Sequence, residues 1–206
     1  MSAVIMRKTV SERTRRLVGV AMFAAVIVVV QTLTTFVWPP GTIPINLVLP
    51  AIVVGAALYG TKAGMFLGLC FSAVVIASGI TGAAGLSNLM WIASPVLFIL
   101  VTLVRGASIG LVAGIVFSAV SQKDTQLGVL VAAVLSPVVN TGIFLLSLIF
   151  LFRDVLRGIA GENNIIYHAF IVMAGTNFIV ELAVNIGLVT ATVIVITATK
   201  KNRNFQ

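Results

Sequence analysis

Six long apolar stretches, nearly free of charge, recur along this chain, and nothing constrains its fold more. A helix needs roughly 20 predominantly apolar residues to cross the hydrocarbon of a bilayer. Cuts at charges, Pro/Gly clusters and polar runs leave segments at 16–37, 44–59, 62–80, 93–121, 126–152 and 168–199. With 60% hydrophobic and 9% charged residues, and a mean hydropathy of +1.18, the chain cannot clothe itself in a water-compatible surface. The expectation is an all-α membrane protein. A single domain over 1–206 holds six transmembrane helices, with a basic N-terminal stretch at 1–15 and a basic tail at 200–206. The second segment is short and contains Pro50, which predicts a kinked or partly re-entrant helix. The first is too long for the apolar part of a cleavable signal peptide.

Orientation follows from Lys and Arg at the loops. Arg7, Lys8, Arg13, Arg15, Arg16, Lys62, Lys123, Lys200, Lys201 and Arg203 fall on one side; only Arg153 and Arg157 fall on the other. Both termini are therefore expected in the cytoplasm of a cell with a multi-pass plasma-membrane protein. The net charge of +8 is accounted for by this bias toward anionic headgroups, so no nucleic-acid partner is implied. The outer loops, among them "WPPGTIP" and "GLSNLMW", carry Trp38 and Trp91. These are either interfacial anchors or part of a cover over a pocket.

Enzyme chemistry finds little support. A single cysteine, Cys70, and a single histidine, His168, leave no Cys or His cluster for a metal, and neither a "GxSxG" elbow nor the dipeptide "GK" of a phosphate-binding loop occurs. No cofactor is expected. Any ATP hydrolysis belongs to another subunit.

Polar residues inside the segments carry more information, because polar and ionisable groups in a membrane are costly and face a partner or a cavity. Counted from the basic side, Gln31, Asn140, Arg105 and Glu181 lie at about 22 to 29 Å depth by helical rise. Asn177, Glu181 and Asn185 recur at i, i+4 and i+8, on one helical face. Four segments thus offer polar groups at one level beneath the outer loops, as a site for a small polar molecule would require. The alternative stays open that Arg105 and Glu181 neutralise each other and the asparagines only bond helix to helix. Small residues form two ladders suited to close packing, Gly60/Gly64/Gly68 and Gly106/Gly110/Gly114; Ala21 and Ala25 form a further notch in the first helix, below the polar level.

Taken in order, "AMFAA", "PINLVLPAIVVGAALYGTKAGMFLGL", "RGASIGLVAGIV" and "SPVVNTGIFLL" resemble the substrate-binding S component of energy-coupling factor (ECF) transporters, in the branch of the riboflavin, pantothenate and folate proteins. The resemblance runs over nearly the whole chain. It implies a six-helix subunit of an ATP-driven, ABC-type importer in a prokaryotic plasma membrane, which binds a vitamin from outside. Its partners would be a transmembrane coupling subunit and two cytoplasmic ATPases. In that family an Ala-xxx-Ala pattern of the first helix docks the coupling subunit, which here corresponds to Ala21 and Ala25. Ligand residues come from the outer ends of helices four to six and from the loops after helices one and three. Arg105, Asn140, Asn177 and Glu181 are the corresponding positions, with Trp38, Asn88 and Trp91 as loop candidates. A buried arginine can grip a carboxylate, which ranks pantothenate first and folate or another polar heterocyclic vitamin next. A free-standing secondary transporter is the alternative, made less fitting by the lack of an evident inverted repeat.

Overall fold

A computed structural model of the chain describes residues 11–37, 46–161 and 164–203, with side chains described through 191 apart from 37, 172–174, 176 and 177. The elements are α1 (Glu12–Val37), α2 (Leu49–Tyr59), α3 (Thr61–Thr81), α4 (Gly85–Ala93), α5 (Pro95–Val120), α6 (Thr125–Phe150), α7 (Arg153–Ala160), a single turn α8 (Ile165–Tyr167), a π-helical stretch (His168–Gly175) and α9 (Thr176–Arg203). Among the described residues there is no strand. Among the described residues four helices, α1, α3, α5 and α6, are long and apolar enough to cross a bilayer, as in a membrane-embedded protein. Their outward surfaces agree: Leu17, Met22, Val26, Leu33, Phe36, Leu100, Val104, Ile115 and Phe150 are all exposed, a covering suited to lipid rather than water.

Three details depart from the sequence expectation. The second segment becomes helical at Leu49 rather than near 44, and Pro50 falls in its first turn, where a missing N–H has no helical acceptor to lose. No interior kink results. Two stretches expected as loops also contain helices. In α4, Leu86 and Met90 enter the core one turn apart; in α7, Leu156 and Ala160 do the same while Arg153, Asp154 and Arg157 face outward. Glycine and charge punctuation suggested loops there, yet an apolar pair at i and i+4 is enough to seat a short helix on an existing core.

The tightest contact in the molecule is between α3 and α5. The two glycine ladders, which the sequence presents as separate, face each other in antiparallel register. A Cβ added at Gly68 would run into the Gly106 carbonyl, one at Gly110 into the Gly64 carbonyl, and one at Gly114 into Thr61. Backbone therefore lies on backbone. One turn further along, the Ser72 hydroxyl donates to the Thr102 carbonyl at 2.6 Å and sets the register of the pair. On the other side of α5, α6 returns antiparallel, with Gly128 closed against Ser121. Then α9 packs on α6, and α2 lies among α3, α5 and α6, where Val53, Val54 and Ala56 meet Ala113, Val129, Ala132, Ala133 and Val189.

Helix α1 stands at the periphery. Its inner face is Gly19 under the Tyr59 ring, Phe23 edge-on to the same ring at 6.1 Å, Ile27 and Gln31, a run at i, i+4, i+8 and i+12. Arg16 completes the contact by donating to the Tyr59 carbonyl at the C-terminus of α2 at 2.5 Å, which joins the basic ends of the two helices. Ala21 and Ala25 are exposed on the outer face.

Gly68→Val should be among the most damaging single changes in the protein, because the added atoms meet a backbone carbonyl that cannot turn aside. We expect thermal unfolding in detergent to show a loss of at least about 1–3 kcal/mol. Gly142→Ala, where an added Cβ has nothing within 4 Å, should leave the transition unchanged.

Candidate substrate site

The α3/α5 contact determines what surrounds Arg105. This residue directly precedes Gly106, so close approach of the two backbones carries its side chain past α3 and lays its guanidinium carbon 5.3 Å from the Phe71 ring centroid. Phe144, from α6 on the other side of α5, approaches the same carbon at 5.2 Å. Each ring contributes an attractive cation–π contact. Such contacts use the π-faces of the rings and leave the guanidinium N–H groups free. The Arg105 side chain is only 9% exposed, and its Nε, fully shielded from solvent, has no hydrogen-bond partner.

Glu181 on α9 is in the opposite position. It is 2% exposed, yet both of its oxygens are occupied: Oε1 accepts from Asn140 Nδ2 at 2.9 Å and Oε2 from Asn46 Nδ2 at 3.1 Å. Arg105 and Glu181 attract each other, but their charged atoms do not close to an ion pair within 4.0 Å. A buried cation and a buried anion thus share one level of the bundle without joining, and two asparagines satisfy the anion alone. Asn140, 2% exposed, spends its amide on Glu181 and leaves its own Oδ1 buried with no donor. Gln31 on α1 is also buried, its Oε1 likewise without a donor.

A proline places α9 in this arrangement. Pro137 lies within α6 and has no N–H to give to the carbonyl four residues earlier, that of Ala133. That carbonyl is taken instead by the Asn185 side chain amide of α9. The bond pins α9 to α6 one helical turn from Glu181 and sets the register in which Glu181 meets Asn140, three residues beyond the proline. In a membrane a freed carbonyl must find such a donor.

The structure brings together three of the residues expected from sequence, Arg105, Asn140 and Glu181. Asn88 and Trp91 are elsewhere engaged. Asn88 Nδ2 donates to the Gly79 carbonyl at 2.8 Å and holds the end of α3, while Trp91 packs edge-on against Phe98 at 6.3 Å. Trp38 and the side chain of Asn177 lie outside the described residues. Asn185 shares its face with Glu181, as the i, i+4 spacing predicts, but bonds to backbone. Sequence reading missed three members. Asn46 stands at the outer end of the second segment at the depth of the other polar groups, a signal that was available; Phe71 and Phe144 look like any core phenylalanine.

Comparison with known proteins gives no family model, no curated sequence and no solved structure that matches this chain.

The proline argument has a measurable consequence. Asn185→Leu should strand the Ala133 carbonyl and lower stability by about 1–3 kcal/mol. Adding Pro137→Ala restores the N–H that this carbonyl lacks, so the double variant should recover part of the loss in detergent unfolding experiments.

Proposed function

We propose that this chain is the substrate-binding subunit of a membrane importer, of the kind represented by ECF S components, and that its ligand binds at Arg105, Asn140 and Glu181. One observation carries the reading: Arg105 is buried with an unpartnered Nε and closes no ion pair with Glu181, whose oxygens are already taken. A pair retained only for cohesion would gain by closing into an ion pair, since an isolated buried charge is expensive. A site kept open for a ligand leaves its donor unspent. The polar level also lies about 22 Å from the basic end of α6, counted over the 15 residues from Thr125 to Asn140, which places it toward the side of α4 and α7.

In this proposal the helices cross the membrane as six spans. α2 is a short central one, α8 to α9 is the last, and both basic termini face the cytoplasm of a prokaryotic cell. A separate coupling subunit and two ATPases drive uptake of a vitamin-like cargo. Support for docking comes from α1. Ala21 and Ala25 are exposed on the face turned away from the bundle, nearer the basic end of the helix than Gln31, so the notch is available to a second helix and is not consumed by internal packing.

Two measurements test the proposal. Arg105→Ala and Glu181→Ala should each weaken ligand binding at least about tenfold, roughly 1.4 kcal/mol, in protein that still folds and inserts; loss of stability with unchanged affinity would assign the pair a purely cohesive role. Ala21→Trp with Ala25→Trp should spare binding and abolish co-purification with a coupling subunit and ATPases. A double variant that still assembles and transports would remove α1 as the docking face.

A further inference from the structure

The hydrogen-bond inventory of the site is lopsided, and the imbalance specifies a ligand. Of the two buried charges, the carboxylate is provided for and the guanidinium is not: Glu181 receives N–H groups from Asn46 and Asn140, while Arg105 Nε has none. The missing group at Arg105 is an acceptor, and beside a buried cation an anionic oxygen is the strongest one. Shape narrows the choice. A guanidinium presents its donors in one plane, and here Phe71 and Phe144 crowd its carbon from two neighbouring helices. A planar carboxylate can meet the edge that includes Nε with two parallel hydrogen bonds. A tetrahedral phosphate would turn its further oxygens out of that plane, where the guanidinium has no donors. On the adjoining helix α6 the requirement reverses. Asn140 Oδ1 is a buried acceptor without a donor, next to a carboxylate whose remaining lone pairs also accept.

We infer that the ligand is a small carboxylic acid that also carries N–H or O–H donors, seated with its carboxylate at Arg105 and a donor at Asn140. The inference rests on the binding reading above and adds to it the chemical class and the direction in which the molecule lies. A simple fatty acid satisfies Arg105 and leaves Asn140 unpaired. A simple amine, protonated at neutral pH, does the opposite. Either leaves a buried polar group unsatisfied, which is the principal means by which polar sites reject analogues.

The purified full chain, washed free of small molecules, is equilibrated with the small-molecule fraction of a bacterial extract and, separately, with the same fraction after methyl esterification, which caps every carboxylate. Retained compounds are identified by mass spectrometry. The expected result is a retained compound with a free carboxylate and at least one further N–H or O–H group. Its retention should fall at least about tenfold on esterification and also in Arg105→Lys, which keeps the charge and loses the planar edge. Retention of a phosphate ester, an amine or a neutral compound, or equal retention before and after esterification, overturns the carboxylate class and leaves a binding site in place. A carboxylate with no other donor overturns the assignment at Asn140. Retention of nothing from either mixture overturns the binding reading and this inference with it. The esterification arm uses the unaltered protein, so it decides the class even if the Arg105 variant fails to fold.

Discussion

The contact of α3 with α5, backbone against backbone through two facing rows of glycine, is the constraint on which the rest of this molecule depends. In lipid there is little hydrophobic drive to bring helices together, so affinity between them comes from van der Waals contact over closely approaching surfaces. Glycine permits the approach, and the Ser72 to Thr102 hydrogen bond fixes its register. Everything at the polar level inherits that geometry. Phe71 reaches Arg105 because its helix is held in backbone contact with α5, and Arg105 immediately precedes Gly106 at the end of the seam.

Cost is as informative as attraction here. A guanidinium, a carboxylate and three amide side chains occupy a level where polar groups lacking partners are expensive. The structure meets part of that cost with aromatic rings around the cation and amide donors on the anion. It leaves other groups unmet: Arg105 Nε, Asn140 Oδ1 and Gln31 Oε1, together with Asn185 Oδ1 one turn along α9 and His168 Nδ1. Buried polar groups are as a rule hydrogen-bonded, and the unmet groups at this level are what the proposed binding function rests on. By the same logic the Ala133 carbonyl, freed by Pro137 and taken by Asn185, belongs to the framework rather than to the site.

The molecule separates its surfaces along its length. At the basic end, Arg16 on Tyr59 and the Gly19 contact tie α1 to α2, while the outer face of α1 remains free. At the opposite end, α4 and α7 lie across the helix termini and add Met90 and Leu156 to the core. Arg105 and Glu181 sit nearer the second end. A helix that docked at Ala21 and Ala25 would therefore touch the bundle well away from the polar level, so in the proposed function assembly and ligand binding would draw on different residues.

Much of this was legible in the sequence, for local reasons. Apolar run length fixes which segments can be buried in lipid, the i, i+4 recurrence of glycine marks surfaces able to approach closely, and distance from a charged end gives depth, which singled out Arg105, Asn140 and Glu181 together. All of these depend on one segment at a time. What only the tertiary structure decided depends on two or more: that the glycine rows face each other, that Asn46 completes the hold on Glu181, and that ordinary-looking phenylalanines enclose Arg105. The helices α4 and α7 were hidden for the same reason, since a short amphipathic segment becomes a helix only when a core is present to receive its apolar pair. Above all, opposite charges at one depth leave open, when read along the chain, whether they neutralise each other or line a site. Their separation is decided by which partner finds the asparagines, a competition that exists only once α2, α6 and α9 have been brought together.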